Sequence, residues 1–383
     1  MKELLGMTWD HPRGFDSIVA TTEEYHKQVG NCRITWHKRS LKDFGDLPIE
    51  RLIEKYDMIM IDHPFVGEAH AKNLLQPIET ILPAEFINSQ SQAHISPTFE
   101  SYSYGGSQWV LPIDAATQVS AYSPKLMSQS SLPSNWSEYT EMMNSASFRS
   151  KVLWPLCETD VWCSFLTIAS QLGNEQNKDV FSADGLNNDL AGEALSMLAD
   201  LTKHLIKDCW NMNPINVLEL MSQKNSPYVF SPLLFGYNNY SRPVGEARQI
   251  DFLNALSIHK ENPFALLGGV GLAISAKSDH HNEISDYLQF IMQDEILSGS
   301  YFDAGGQPST KSVWMSDDIN ARTSGFFTNT LGSMQSAFVR PRVAGFNVFQ
   351  EKAAQVIHSK LNGKSSSESL TVDSINEIYG DCC

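Results

Sequence analysis

The sequence predicts an α/β chain folded as two lobes, and three observations carry that expectation. Its 383 residues exceed what one ordinary core organises and match roughly two domains of ~150 residues. Up to Ile61 the hydrophobic patterning alternates in the order strand, helix, strand, helix, strand. An extended run, Gln108–Ile113, then leaves that alternation and is placed to carry the chain into a second lobe.

The first strand is Leu4-Leu5-Gly6-Met7-Thr8, followed by Asp10-His11-Pro12. Phe15-Asp16 leads into SIVATTEEYHKQV, a helix with Asp16 or Ser17 as its N-cap and Gly30 as its stop. Cys32–Trp36 alternates at period two, PIERLIEKY (Pro48–Tyr56) has the pattern of a short helix, and Met58-Ile59-Met60-Ile61 is a buried strand too short for a helix. That third strand ends in Asp62-His63-Pro64, a second copy of the tripeptide. Proline lacks an amide proton and restricts the residue before it, so Pro12 and Pro64 each mark the end of a strand. Such alternation implies a parallel sheet with right-handed crossovers, in which ligands bind beyond the carboxyl ends of the strands. Both Asp-His-Pro copies fall on that edge.

Further along, Gly105-Gly106-Ser107 introduces the extended run, which leads to Asp114 and a predicted helix. In LPSNWSEYTEMM, Asn135 stands three residues ahead of Glu138, the pattern of a capped helix start. DVWCSFLTIASQLG (Asp160–Gly173) and GEALSMLADLTKHLI (Gly192–Ile206) are amphipathic helices whose apolar stripes belong to a core. Phe264–Ser275 is an apolar strand region, followed by a polar loop at Lys277–Asn282 and a helix at Ile284–Met292. FQEKAAQVIHSKL is helical, and Gly363–Ser369 has the composition of a flexible connector.

Composition excludes several classes. A formal charge of −16, from 44 acidic and 28 basic residues, argues against a general nucleic-acid binder, which needs Lys and Arg clusters. No apolar run approaches the ~18 residues that span a bilayer, so no membrane-spanning role is expected. The six cysteines, Cys32, Cys157, Cys163, Cys209, Cys382 and Cys383, lack zinc spacing and Cys-x-x-Cys pairs, which suits reduced thiols. Gly268-Gly269-x-Gly271 precedes a strand where a dinucleotide fingerprint would follow one, so it is assigned to close backbone packing. Neither a Gly-x-Ser-x-Gly elbow nor a His-Glu-x-x-His motif occurs. No cofactor, metal or catalytic residue is predicted.

The segments GMTWDHPRG, YDMIMIDHPFVG, YGGSQWVLPIDAATQV, LPSNWSEY, LFGYNNYSR, LGGVGLAIS, GGQP and RPRVAG, in this order and spacing, resemble extracellular solute-binding proteins of family 1. These are the receptors of ABC importers, and many bind sugars. The resemblance covers the length of the chain. It implies a type II periplasmic-binding-protein-like fold with a ligand cleft between two lobes joined by hinge crossings. Lobe 1 would comprise residues 1–110 plus about 264–335, and lobe 2 about 111–263 plus 336–383. The implied partners are a small-molecule ligand and an ABC permease. Members of the family are normally exported, yet Met1–Leu5 runs straight into the first strand. The expectation is a periplasmic or extracellular location if a signal has been removed, and a cytoplasmic one if Met1 is the native start.

A solute site of this kind needs aromatic faces and a few convergent polar groups. From the two Asp-His-Pro loops the candidates are Trp9, Asp10, His11, Arg13, Asp62, His63 and Phe65; elsewhere they are Asp114, Gln118, Tyr237, Asn238, Asn239, Tyr240 and Arg242. The Tyr237–Arg242 stretch is dense in polar aromatics and amides, and an Asn-stabilised surface turn explains it equally well. For Asp-His-Pro, strand capping, ligand contact and metal or catalytic chemistry all remain open. Arg13, Arg242, Arg340 and Arg342 would favour a carboxylate or phosphate if directed at a solute, whereas Asp10, Asp62 and Asp114 favour hydroxyl-rich or cationic ligands. The residues leave the ligand's charge open, and with the resemblance the expectation is a sugar, a sugar acid or another small carboxylate. The competing expectation is a cytosolic enzyme on the same scaffold, using His11, Asp62 and His63.

Overall fold

The computed structural model describes residues 2–40, 49–242, 245–258, 263–363 and 372–383. Its strands are β1 (Lys2–Trp9), β2 (Cys32–Arg39), β3 (Met58–Ile61), β4 (Val110–Pro112), β5 (Ala116–Tyr122), β6 (Phe230–Phe235), β7 (Asp251–Leu253) and β8 (Gly271–Ser275), with two-residue pairings besides. The chain divides into two compact units. Unit 1 holds Met1–Ala116, Gly268–Ala321 and Arg342–Ala344; unit 2 holds Thr117–Leu267, Arg322–Pro341 and Gly345–Cys383.

Unit 1 is built on a sheet ordered β2-β1-β3-β8, whose far edge is shared by Leu75–Gln76 and β4. The first three strands run parallel, as the alternating pattern requires. β8 returns antiparallel against β3, β4 and Leu75–Gln76, so the sheet is mixed rather than parallel throughout. A strand that enters from a distant segment needs no helical crossover and is not bound to the parallel sense. β3 is buried along its length, with Ile59 and Ile61 in a cluster that includes Met7, Leu52, Val66, Tyr102 and Trp109. Its partners Met58 and Met60 project to the opposite face by the two-residue alternation, which explains why the strand is apolar without interruption.

The first predicted helix is Ser17–Gln28, entered from Asp16 and stopped by Gly30 at φ +61°. The second is the short helix Glu50–Ile53, with Pro48 outside the described residues, and it ends before Tyr56, which leads into β3. The glycine-rich Gly268–Gly271 stretch does permit close packing. Gly269, at φ +100°, would place a Cβ 2.5 Å from the Asp114 carbonyl oxygen, and Gly271 would place one 2.4 Å from Val110.

The helix expected after Asp114 is instead β5. Its residues are all buried, and it pairs antiparallel with β6 on one edge and β7 on the other. Ladder bonds on both edges and the β-branched Thr117 and Val119 outweigh the helical preference of its alanines. In unit 2 the central element is the helix Glu158–Gln176, buried from Asp160 through Gly173 and packed against helices Asn188–Thr202 and Phe346–Leu361. Asn135 caps the helix Trp136–Asn144 by accepting the Glu138 N–H at 2.9 Å, while Glu138 reaches back to the Ser134 N–H at 2.8 Å. The indole rings of Trp136 and Trp154 stack with centroids 5.6 Å apart and planes 8° from parallel. The Gly363–Ser369 connector lies, beyond Gly363 itself, outside the described residues. None of the six cysteines, all within the described residues, forms a disulfide.

Candidate functional site

The parallel register brings the two Asp-His-Pro loops together. Gly6 pairs with Met58 and Met7 with Ile59; carried forward, the same register sets Trp9 beside Ile61 and Asp10 beside Asp62. Both strands stop there, so the two loops emerge side by side at the carboxyl edge of unit 1's sheet.

In the first loop, His11 caps a single wide turn, Pro12–Asp16, by accepting the Arg13 N–H on Nδ1 at 3.1 Å. Pro12 occupies the first position of the turn, where its missing N–H costs nothing. Burial, with the neighbouring Arg13 charge, holds the His11 imidazole down to about 4, although Asp10 acts in the opposite sense. His11 is therefore neutral near pH 7. Trp9 is buried, and its indole lies where a side chain on Gly14 would be, at 2.4 Å from that Cβ position. The loop is tied down further by Thr8 Oγ1 and Ser17 Oγ, which donate to the carbonyls of Gly14 (3.3 Å) and Arg13 (2.6 Å). Asp10 points outward and pairs with Lys38 Nζ at 2.7 Å, and that ammonium also sits 4.8 Å from the centre of the Phe15 ring.

Arg13 turns inward. Its Nε and Nη2 donate to the two carboxylate oxygens of Asp114 at 2.7 and 2.6 Å, and both side chains are almost fully buried. Burial pushes the Asp114 carboxyl up from its ordinary range, and the Arg13 guanidinium and the Val270 N–H pull it back. Two short bonds to two accepting oxygens hold the ionised form.

In the second loop, Asp62 Oδ1 accepts the His63 N–H at 2.7 Å and lies 3.0 Å from the His63 ring Nδ1. His63 is buried with its ring edge-on to Tyr102, whose hydroxyl donates to the Ile61 carbonyl at 3.1 Å. Asp62 keeps 24% of its side chain exposed. Phe65, half-buried, opens the helix Phe65–Ala71 and packs on the cluster behind it. Gly67 in that helix carries the Arg342 carbonyl 1.5 Å from where a Cβ would stand. Arg342 Nη1 in turn donates to the carbonyls of Glu100, Ser101 and Ser103.

The remaining candidates belong to unit 2. Gln118 is buried and accepts Thr167 Oγ1 at 2.5 Å. The Tyr237–Arg242 stretch forms a tight turn, Asn238–Ser241. Tyr240 donates its hydroxyl to Glu219 at 2.8 Å, Ser241 Oγ donates to the Ile250 carbonyl, and Asn238 is buried. Tyr237 meets Tyr240 edge-on at 6.5 Å. Asn239 and Arg242 are half-buried.

Sequence reasoning thus found the two loops but not their immediate supports. Lys38 was missed because the second strand was ended at Trp36, although the pairing of Thr8 with Lys38 places it beside the first loop. Tyr102, Gly67 and Arg342 act across long sequence separations that spacing does not reveal. Among the described residues, no group of three or more His, Cys, Asp or Glu side chains converges to hold a metal ion.

This architecture is that of the two-lobed α/β periplasmic sugar-binding proteins. Maltose-bound MalE3 of T. maritima superposes with a TM-score of 0.83 at 18% identity, over 100% of this chain and 99% of its own. A solute-binding protein from Thermotoga lettingae bound to α-D-tagatose gives 0.79 at 13% identity, over 99% and 100% of the two chains. A ribitol complex from Agrobacterium radiobacter gives 0.78 at 15%, over 100% and 98%. At such identities the likeness concerns the fold. No curated protein sequence matches the chain. The profile of the bacterial extracellular solute-binding proteins matches residues 53–327, well over half of the sequence, and the chain belongs to that family. No described helix is long and apolar enough to cross a membrane.

Proposed function

We propose that this solute-binding protein captures a neutral, hydroxyl-rich small molecule of the sugar or polyol class on the outer side of the cytoplasmic membrane. It then presents that molecule to an ABC permease, acting by binding and not by catalysis. The importer role is supported by the family and by the two ABC transporter proteins among the structural relatives. All three of those relatives carry a sugar or polyol.

The observation that carries the choice of ligand is charge matching at the edge of unit 1. Arg13 is matched by Asp114, Lys38 by Asp10, and Asp62 is joined to His63. Arg13, the one of the four candidate arginines that lies in these loops, spends its fork on an internal partner. A neutral imidazole on His11, the half-buried ring of Phe65 and the exposed part of Asp62 remain suited to a sugar, which offers C–H faces and hydroxyl donors. The turn at Tyr237–Arg242 in unit 2 is a second set of proposed contacts, tested on its own through Asn239→Ala.

Calorimetry with maltose, tagatose, ribitol and their acidic counterparts, such as gluconate and galacturonate, tests this reading. A neutral member of the panel is expected to bind, and Asp62→Ala to weaken it about tenfold or more, the scale of one hydrogen bond to a charged group. Trp9→Ala should weaken binding only together with a loss of stability, because the indole is packed against Gly14. Tight binding of an acid with silence from the neutral compounds would overturn the proposal.

A further inference from the structure

On unit 2 a surface cavity of about 430 Å³ is lined by Pro124, Lys125, Lys224, Glu246, Ala247, Arg248 and Gln249, the last two leading into Ile250, whose N–H donates to the Tyr240 carbonyl at 2.9 Å. Three cations and one carboxylate meet there, on a chain whose formal charge is −16. Lys224 pairs with Glu246 at 2.7 Å. Lys125 has no ion-pair partner among the described residues and stands in solvent. Arg248 is fixed by neutral groups only: its N–H donates to the Ser222 carbonyl at 2.6 Å and its Nη1 to the Ser226 carbonyl at 2.9 Å. Its Nε is buried and lacks a hydrogen-bond partner in the structure. Asp251, two residues after Gln249, accepts from Gln249 at 2.7 Å and faces the Tyr122 hydroxyl at 3.5 Å.

The Arg248 guanidinium, tethered at Nη1 by the Ser226 carbonyl and paired with no carboxylate among the described residues, keeps its full charge. A tethered fork of that kind is what a bidentate oxyanion exploits, while lysines on a cavity rim act as mobile point charges. We propose that this cavity is a binding site for a multiply charged oxyanion, phosphate or polycarboxylate, anchored on Arg248 and closed by Lys125 and Lys224.

The test is calorimetric titration of the full chain at low ionic strength with inorganic phosphate and, separately, citrate. Binding of either is expected, and the stronger of the two identifies which oxyanion chemistry the cavity prefers. It should weaken about tenfold in Arg248→Gln and several-fold in Lys125→Gln. It should fade as salt rises toward physiological strength, and be unchanged in Lys203→Gln, an exposed cation elsewhere on unit 2. If Arg248→Gln fails to fold, Arg248→Lys and Lys125→Gln carry the test, since both keep the surface soluble and remove the fork or the rim charge alone. Absence of binding by either anion up to about 20 mM, far weaker than a 1 mM site would show, overturns the proposal. Binding that survives the substitutions at Arg248 and Lys125 overturns it as well.

Discussion

Separating what Arg13 and Asp114 do for the fold from what they do for the solute requires replacing them singly and together. Their side chains are 4% and 0% exposed and share two bonds of 2.7 and 2.6 Å. Removing one partner strands the other charge in the interior, which costs about 3–5 kcal/mol, whereas replacing both by apolar groups of similar volume is close to neutral. Arg13→Met and Asp114→Leu should therefore each lower stability by about 3–5 kcal/mol, while the double variant lies within about 2 kcal/mol of the parent. Urea unfolding followed by circular dichroism measures this, with the slope of the transition checked for a change in mechanism. Two single variants costing less than about 1 kcal/mol each, or a double variant whose loss equals their sum, would refute the reasoning. The solute provides the second readout. A stable double variant that binds like the parent makes the pair structural; one that is stable and does not bind makes it a contact. Asp114→Ala alone cannot make this distinction, because any affinity it loses is mixed with the orphaned charge of Arg13.

The remaining predictions concern close packing, capping and pH. Gly67→Ala should destabilise unit 1 by several kcal/mol, since its methyl would lie 1.5 Å from a backbone oxygen that a rotamer change cannot move; unchanged thermal unfolding would refute it. Asn135→Ala removes the acceptor for the Glu138 N–H and should cost about 1 kcal/mol, with Asn135→Asp near neutral. Burial holds the His94 imidazole down to about 3, whereas an unfolded histidine takes up a proton near 6.5. Stability from this group is thus complete above about pH 6.5 and is lost as pH falls, at up to about 1.4 kcal/mol per unit. His94→Asn should roughly halve the histidine part of the slope of urea stability between pH 6.5 and 4, because His11, held down to about 4, contributes comparably over the same window. An unaltered slope would show that His94 is not the group that titrates.

What the sequence made legible was local. The strand ends at Pro12 and Pro64, the helix stop at Gly30, the cap at Asn135 and the close approach at Gly269 follow from single-residue backbone preferences, which a short window contains. The candidates' loops were legible for the same reason. Their partners were not. Lys38 beside Asp10, Asp114 beneath Arg13 and the Arg342 carbonyl against Gly67 are separated by tens to hundreds of residues and depend on which strands pair. The stretch after Asp114, expected as a helix, failed likewise: pairing on both edges, with segments more than a hundred residues away, made it a strand.

The doubled tripeptide shows how one local signal serves two ends. In both copies proline stops a parallel strand and leaves Asp and His at the carboxyl edge of the sheet. Beyond that the copies diverge. The first aspartate reaches sideways to Lys38 on the neighbouring strand, and its histidine accepts the N–H that starts the next turn. The second aspartate turns back on its own histidine, accepting its N–H with the ring Nδ1 3.0 Å away, and that histidine is buried against Tyr102. The roles differ because the neighbours differ: β2 flanks the first loop, whereas β8 and the Tyr102 hydroxyl close the second. Repetition of the tripeptide therefore repeats a strand terminator whose side chains find different partners in the two loops. Under the proposed function, Asp62→Ala is the substitution that tests the second copy, because Asp62 keeps 24% of its side chain exposed while holding His63.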